Sequence, residues 1–250
     1  MRARAALVHG AAIVTLTALT QLGGIAWALA LAARRRVLVF LLAYAALSAA
    51  AAFAAPLFGR VPLPCFGEQP LRMHSPLYCV LNRHYAAPKM VAVLHDLAAT
   101  MDRRFPGTPT LVLDASFPFL DRFPMLPHLS HDDGEKADIA FPYVDASGRF
   151  LPGRTPSPLG YFAFRDGPTD CPQRWLTLRW DLAWLQPLWP DWPLDPARLQ
   201  AAVAHLTADP RVAKIFLEPH LASRLEAAHP KIRFQGCRAA RHDDHLHLQL

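Results

Sequence analysis

The sequence HDDHLHLQL, at positions 242–250, is the most informative stretch of the chain. Side chains alternate between the two faces of a β-strand, so His245 and His247 are predicted to share one face while Leu246 and Leu248 point into the core. Two imidazoles on one strand face could form half of a metal site. The alternative is a solvated, histidine-rich tail, as chain ends often are. The metal hypothesis therefore requires further ligands elsewhere in the chain.

A second candidate half lies at positions 130–141, SHDDGEKADIAF. His131 and Asp138 flank Gly134, which permits a sharp turn. Asp138 opens an apolar strand, where a carboxylate either has a specific role or is an ordinary turn residue. Two imidazoles and one carboxylate are a common catalytic zinc set, with the fourth coordination position open. A mixed nitrogen and oxygen set suits zinc better than magnesium or calcium.

The two motifs together resemble the signature of the LAS metallopeptidases, the group of lysostaphin, D-Ala-D-Ala peptidases and murein endopeptidases. The motifs are S-H-x-x-G-x-x-x-D at 130–138 and H-D-D-H-x-H at 242–247. The second motif is most similar to that of the penicillin-insensitive murein endopeptidases. The apolar segment 212–217 and the short helix predicted after it also resemble this family, and the resemblance covers residues 105–250.

This resemblance implies an α+β domain with a small antiparallel sheet and flanking helices. It implies that His131, Asp138 and His247 bind Zn²⁺. By the same comparison, His245 takes the place of the catalytic histidine and His242 that of a second active-site histidine. The expected chemistry is metal-assisted peptide hydrolysis, in which His245 accepts a proton from water and passes it to the leaving amine.

The implied substrate is the stem or crosslink peptide of peptidoglycan. Gln249 stands where the family leads us to expect a basic residue, so the bond cleaved stays open. A D-Ala-D-Ala carboxypeptidase or an amidase could use the same site. A non-catalytic, zinc-stabilised binding module is a further alternative, but metal binding alone does not need both His242 and His245, and this favours an enzyme.

The distribution of charge argues against nucleic acid as a partner. Residues 1–60 contain six Arg and no Asp, Glu or Lys, and so carry the whole formal net charge of +6. The other 190 residues hold 20 basic and 20 acidic side chains. The sequence pI near 9.5 therefore reflects the N-terminal segment, and no basic patch is expected elsewhere to bind phosphates.

The N-terminal segment predicts a membrane anchor of two helices. The apolar runs Ala5–Ala33 and Val37–Phe58 both exceed the roughly 20 residues that cross a bilayer. A cleaved signal peptide is the alternative, but its apolar region is only about 7–15 residues long. The turn at Arg34–Arg36 should stay in the cytoplasm, although Arg2 and Arg4 compete with this orientation. The rest of the chain would then lie in the periplasm, attached to the inner membrane.

We therefore expect a transmembrane hairpin over 1–60, a connector and first helix over 61–104, and a catalytic domain over 105–250. Helices are predicted at 89–104, at 174–188 (buried) and after Asp195, and strands at 108–115, 212–217 and 231–235. An even number of cysteines in an exported domain suits two disulfides. Three pairings are possible for Cys65, Cys79, Cys171 and Cys237.

Overall fold

The chain forms an apolar helical segment followed by an α+β domain, and the computed structural model describes residues 2–172 and 182–250. The helices are α1 (Arg2–Thr20), α2 (Gly23–Ala30), α3 (Arg36–Ala54), α4 (Pro76–Val80), α5 (Pro88–Arg104), α6 (Pro196–Ala208) and α7 (Pro219–Arg224). The strands are β1 (Val61–Pro62), β2 (Leu71–Met73), β3 (Tyr85–Ala86), β4 (Thr110–Asp114), β5 (Lys136–Ala140), β6 (Lys214–Phe216), β7 (Ile232–Arg233) and β8 (His245–Gln249). Two 3₁₀-helices cover Ala55–Phe58 and Ala183–Leu188.

Two helices are long and apolar enough to cross a membrane, over Ala3–Thr20 and Arg36–Phe58. The prediction of one continuous helix over 5–33 is wrong, because the chain reverses at Gln21, where φ is +64°. Helix α2 then folds back against α1. Gly24 makes this close approach possible, since a Cβ there would lie 1.9 Å from Oγ1 of Thr17.

Helices α1 and α3 consequently run in the same direction, and the predicted two-helix hairpin is wrong. At one level, Nη1 of Arg36 lies 3.3 Å from Nε2 of His9. At another level, Nδ2 of Asn82 lies 3.4 Å from the carbonyl oxygen of Thr20 and 3.2 Å from Oγ of Ser48. The N-terminus and the turn between α2 and α3 therefore lie at the same end of this helical segment, and the α+β domain lies at the other.

The helical segment joins the domain through a small buried cluster, which we call the joint. Its fully buried members are Leu22, Ala51, Ala55 and Tyr85, and the ring of Phe119 packs against them. The chain then passes from α3 through the 3₁₀-helix and two residues, Gly59 and Arg60, into β1. The domain is thus packed directly on the helices.

The main sheet has six strands in the order β2-β4-β5-β8-β6-β7. The prediction of an antiparallel sheet holds for the centre, where β5 and β8 pair antiparallel, and is wrong for the outer pairs. Strands β2 and β4 are parallel, as are β6 and β7. A helix lies in the connection of each parallel pair, α5 before β4 and α7 before β7, as a parallel connection requires.

The central strand β8 has the predicted alternation. Leu246 and Leu248 are buried in the main core, and His245 and His247 lie on the opposite face. The amphipathic helix α5 buries the predicted apolar side chains on the same core, namely Met90, Val93, Leu94, Leu97 and Met101. Because β2 and α5 contribute to this core, residues 61–104 supply part of the domain itself.

Other local predictions agree with the structure. The Asp195 side chain caps α6 by accepting a hydrogen bond from the backbone N–H of Arg198 at 3.0 Å. Strands β4, β6 and β7 lie within the predicted segments 108–115, 212–217 and 231–235. The cysteines form two disulfides, Cys65–Cys79 and Cys171–Cys237, which selects one of the three pairings.

The predicted buried helix at 174–188 falls partly on residues 173–181, outside the described part of the chain. Over Ala183–Leu188 the prediction is wrong, because this segment is a 3₁₀-helix with no buried residue. The side chain of Trp184 is 71% exposed. Pro187 cannot donate a backbone hydrogen bond, so a regular α-helix is disfavoured there.

Candidate functional site

Two neighbouring strands and one loop bring the predicted site residues together. Strand β5 supplies Asp138, and β8 supplies His245 and His247. The register places Asp138 directly opposite His247, and residues opposite each other in an antiparallel pair share one face of the sheet. His131 lies in the loop that precedes β5, and its side chain is buried.

Three side-chain atoms converge to the spacing of a metal ligand set. Oδ1 of Asp138 lies 3.3 Å from Nε2 of His131 and 2.8 Å from Nδ1 of His247. These two imidazole nitrogens are 3.1 Å apart. Ligands of tetrahedral zinc, at bonds of about 2.0–2.1 Å, lie about 3.3 Å from one another. The three atoms therefore fit around one zinc ion.

Hydrogen bonds fix the orientation of each of these three side chains. Nδ1 of His131 lies 2.8 Å from the carbonyl oxygen of Ala115, which can only accept, so Nδ1 carries a proton and Nε2 is the nitrogen that faces Asp138. The hydroxyl of Tyr161 donates to Oδ2 of Asp138 at 2.7 Å. The amide of Gln249 lies 3.0 Å from the outer nitrogen of His247.

His245 is held beside this set by a carboxylate. Nδ1 of His245 lies 2.5 Å from Oδ1 of Asp244, and its Nε2 lies 3.6 Å from Oδ1 of Asp138. The backbone N–H of Phe162 donates to the other oxygen of Asp244 at 2.6 Å. This arrangement keeps Nε2 of His245 directed at the candidate metal position, where it could transfer protons.

The two remaining residues of the terminal motif differ in their surroundings. His242 is buried, with its ring centroid 5.0 Å from that of His245 and 5.4 Å from that of His247. Asp243 instead pairs with the guanidinium of Arg241, with Nε and Oδ1 3.0 Å apart. Of the two adjacent aspartates, Asp244 is the one that orients an imidazole of the site.

Sequence reasoning missed His128, which also lies at the site. Its Nδ1 donates a hydrogen bond to Oδ2 of Asp114 at 2.8 Å, and its ring centroid is 5.4 Å from that of His131. Ligand atoms of His128, His131 and Asp138 all lie within 4.8 Å of one another. The spacing of His128 three residues before His131 was the available signal. Tyr161, which holds Asp138, had no comparable signal.

Burial and charge set the protonation of the carboxylate and its neighbours. Burial alone would raise the pKa of Asp138, but the imidazoles of His131, His245 and His247 outweigh it and hold this pKa well below its usual value. Burial lowers the pKa of His247 to about 4, and the nearby His131 and His245 add to the effect. Asp138 is thus ionised and His247 neutral at neutral pH, the protonation states that metal binding requires of them. At His131, by contrast, burial is outweighed by Asp138, which raises the pKa of this imidazole, so that a metal ion would have to displace a proton there.

The pKa values of the two proposed catalytic histidines, His245 and His242, are shifted in opposite directions. Burial would lower the pKa of His245, but the carboxylates of Asp138 and Asp244 raise it to about 9. Burial and the neighbouring imidazoles His245 and His247 hold the pKa of His242 well below its usual value. Pairs of titratable groups whose pKa values are pushed apart are typical of sites with acid and base roles.

A pocket of about 230 Å³ opens onto these side chains. Its wall combines the histidines with two surface loops. The residues that line it are Pro127, His128, Leu129, Ser130, His131, Asp138, Gln235, Ala239, Ala240, His242, His245 and His247. Ala239 and Ala240 contribute only short side chains to this wall.

Replacement of Tyr161 by Phe should weaken zinc binding by roughly 10- to 100-fold, as loss of a partner of a metal ligand usually does. The hydroxyl of Tyr161 donates to Oδ2 of Asp138, while Oδ1 is the oxygen beside the candidate ligand atoms of His131 and His247. Affinity would be measured by competition with a chelator. Tyr143→Phe is the matched control, because the Tyr143 hydroxyl is buried without a hydrogen-bond partner among the described residues. Equal affinity in both variants would contradict this role of Tyr161.

Comparison with known proteins does not identify the chain: no protein-family model matches the sequence, and no curated protein matches it. The geometry and chemistry of the site are therefore the basis on which a function can be assigned.

Proposed function

We propose that the protein is a membrane-anchored, zinc-dependent hydrolase that cleaves peptide (amide) bonds in the stem or crosslink peptides of peptidoglycan, in the manner of a murein endopeptidase. The observation that carries the proposal is the convergence of His131, Asp138 and His247 to tetrahedral ligand spacing, next to the hydrogen-bonded pair of His245 and Asp244. A metal position and a positioned proton carrier in one pocket are the two parts that amide hydrolysis requires.

The donor set supports zinc in particular. Two imidazole nitrogens and one carboxylate oxygen are a usual ligand set for a zinc site that keeps one coordination position open for chemistry. His131, Asp138 and His247 would hold the ion. Zinc bound there supplies Lewis-acid chemistry, since it polarises a substrate carbonyl and acidifies water.

The neighbouring residues of the chain would carry the proton transfers. Despite burial, Asp138 and Asp244 raise the pKa of His245 to about 9, and the positive charge of a zinc ion beside it would lower that pKa again. Nε2 of His245, which faces the candidate metal position, would then take a proton from the attacking water and deliver it to the leaving amine. Asp244 would hold the imidazole in the required orientation and stabilise its protonated form. His242 would hydrogen-bond the tetrahedral species or orient the water. A site that only bound zinc for stability would not need this second set of groups.

The helical segment supports an outward-facing domain. The basic residues Arg2, Arg4 and Arg34–Arg36 all lie toward the end of the helices that is remote from the domain. Arginine-rich flanks of membrane helices stay on the cytoplasmic side. Because α1 and α3 run in the same direction, the N-terminal arginines and the arginines of the turn favour the same orientation of the helices in the membrane. We place the domain in the periplasm, at the inner membrane, where peptidoglycan is the accessible polymer.

The test is digestion of murein sacculi by the full-length protein purified in detergent. We expect about one zinc ion per site by metal analysis and release of soluble fragments, and no release by His131→Ala. Fragment masses distinguish a cut crosslink from loss of a terminal D-Ala or of a whole stem peptide, which would instead indicate a carboxypeptidase or an amidase. Protein that binds zinc but leaves sacculi as intact as the variant does would support the binding-module alternative.

A further inference from the structure

The distance along the anchor helices from their arginine-flanked end to the first contact with the domain is shorter than the thickness of a bilayer. Along α3, Arg36 and Tyr44 are eight residues apart, or about 12 Å at the α-helical rise. At Tyr44 the domain is already present, because the Tyr44 hydroxyl donates to the carbonyl oxygen of Val80 at 2.5 Å. The hydrocarbon core of a bilayer is about 30 Å thick.

The distance along α1, measured from Arg4, is also shorter than the thickness of a bilayer. Arg4 and Thr20 are 16 residues apart, or about 24 Å. The carbonyl oxygen of Thr20 accepts a hydrogen bond from Nδ2 of Asn82, which follows α4 directly. The cytoplasmic boundary of the membrane could lie at Arg36 or at Arg4. In either case α4 is less than about 30 Å from that boundary, and so within the thickness of the hydrocarbon core.

The surface around α4 is apolar and exposed. We define the basal surface as Phe66, Leu77 and Val80 of the domain together with Phe53 and Leu57 at the end of the anchor. Phe66, Val80 and Leu57 are 74%, 59% and 86% exposed. The Cys65–Cys79 disulfide, with its Cα atoms 6.1 Å apart, keeps Phe66 beside α4. Val80 adjoins α3 through its hydrogen bond with Tyr44, and exposed apolar side chains beside a membrane helix are typical of a binding or membrane-contact surface.

The sequence of the basal surface also lacks charge. Segments 37–59, 61–67 and 75–82 contain no Asp, Glu, Lys or Arg. The amide nitrogen of Asn82 at this level points inwards and donates to Oη of Tyr44 at 3.0 Å and to Oγ of Ser48 at 3.2 Å, while its Oδ1 is buried without a hydrogen-bond partner among the described residues. Polar groups at membrane depth are expected to find such internal partners, because lipid offers none.

We infer that the basal surface is immersed in the acyl-chain region of the lipid bilayer, so that the domain is seated partly within the membrane. The inference rests on the proposed membrane anchor and adds a second lipid contact to it. The occupant of the surface is lipid because the surface is continuous with the membrane helices and lies within the bilayer thickness measured along both of them.

Quenching by lipids with brominated acyl chains tests this inference. The full-length protein would carry a single introduced cysteine, labelled with a thiol-reactive fluorophore and reconstituted into vesicles; the native cysteines are all in disulfides. The test positions are Val80→Cys and Leu77→Cys. Leu41→Cys, an exposed position on α3, is the positive control. Ala228→Cys is the negative control, since it precedes β7 at the sheet edge opposite β2, the strand that α4 contacts.

We expect the labels at 80 and 77 to be quenched nearly as strongly as the label at 41, and the label at 228 to be quenched little. Labels at 80 and 77 that behave like 228, while 41 is quenched, would overturn the immersed base and leave the anchor in place; coverage of this surface by another protein would give that result. Absence of quenching at 41 as well would overturn the membrane anchor itself. Wild-type digestion of sacculi is independent of both outcomes.

Discussion

His245→Ala should lower kcat for peptide hydrolysis by roughly 10²- to 10⁴-fold, the usual contribution of a positioned acid or base, while zinc content stays at the wild-type level. The ring of His245 is oriented by Asp244 and lies next to the proposed ligands, but its Nε2 is 3.6 Å from Asp138 and is not needed to complete the ligand set. Because the group acts in the transition state, kcat and kcat/KM should fall together.

The matched comparison is His247→Ala, which removes a proposed ligand from the same face of the same strand. This variant should lose both zinc and activity. Metal analysis and steady-state kinetics on the two purified full-length variants separate the roles. If His245→Ala also lost its zinc, His245 would be a ligand. If it kept full activity, proton transfer would have to be assigned to another residue, with His242 the first candidate.

Arg83→Met should reduce the free energy of unfolding by about 3–5 kcal/mol, because it leaves a buried carboxylate without its partner. Both side chains of the Arg83–Asp114 pair are almost fully buried. Nε of Arg83 donates to Oδ1 of Asp114 at 2.8 Å, and Nη1 donates to the carbonyl oxygen of Leu126 at 2.6 Å. The pair therefore fixes the end of β4 to the loop that leads to His131.

Chemical unfolding in detergent would measure this loss, with Arg149→Met as the control. Arg149 pairs with Asp145 on the surface, so its replacement should leave stability unchanged within error. The variant Arg83→Met with Asp114→Leu should recover part of the loss, since no lone charge is left buried. A single Arg83→Met variant as stable as Arg149→Met would contradict the assignment.

The same pair also predicts a dependence on pH. Burial opposes ionisation of Asp114, but Arg83 and His128 outweigh it and hold its pKa at about 2, below the unfolded value of about 3.9. A carboxyl group whose pKa is lower in the folded state than in the unfolded state stabilises the folded state at pH values above its unfolded-state pKa. The contribution of Asp114 should therefore be complete at neutral pH and be lost as pH falls from about 4 towards 2.

The parts of the fold that follow a short local period could be predicted from the sequence. The alternation in HDDHLHLQL assigned His245 and His247 to one face of β8, and the spacing of Met90, Val93, Leu94, Leu97 and Met101 gave the buried face of α5. These patterns are expressed within one element, so each could be recognised without knowing its neighbours.

Features that depend on contacts between distant segments could not be predicted in this way. Tyr161 reaches Asp138 from a loop 23 residues away, and His128 meets Asp114 only because their segments pack together. The reversal occurs at Gln21, one of the few polar residues in the apolar run 5–33, and a single polar residue does not by itself predict a turn. The parallel outer pairs of the sheet depend on where α5 and α7 cross, which strand propensity does not encode.

The joint between anchor and domain limits how far the pocket can move relative to the membrane. Leu22, Ala51, Ala55 and Tyr85 are buried together, and only two residues separate the 3₁₀-helix from β1, so the domain has no flexible tether on which to swing. A wall hydrolase mounted in this way would hold its pocket at one fixed height above the lipid. It would cut only the layer of polymer that passes at that height, and it would reach new bonds by drifting sideways in the membrane.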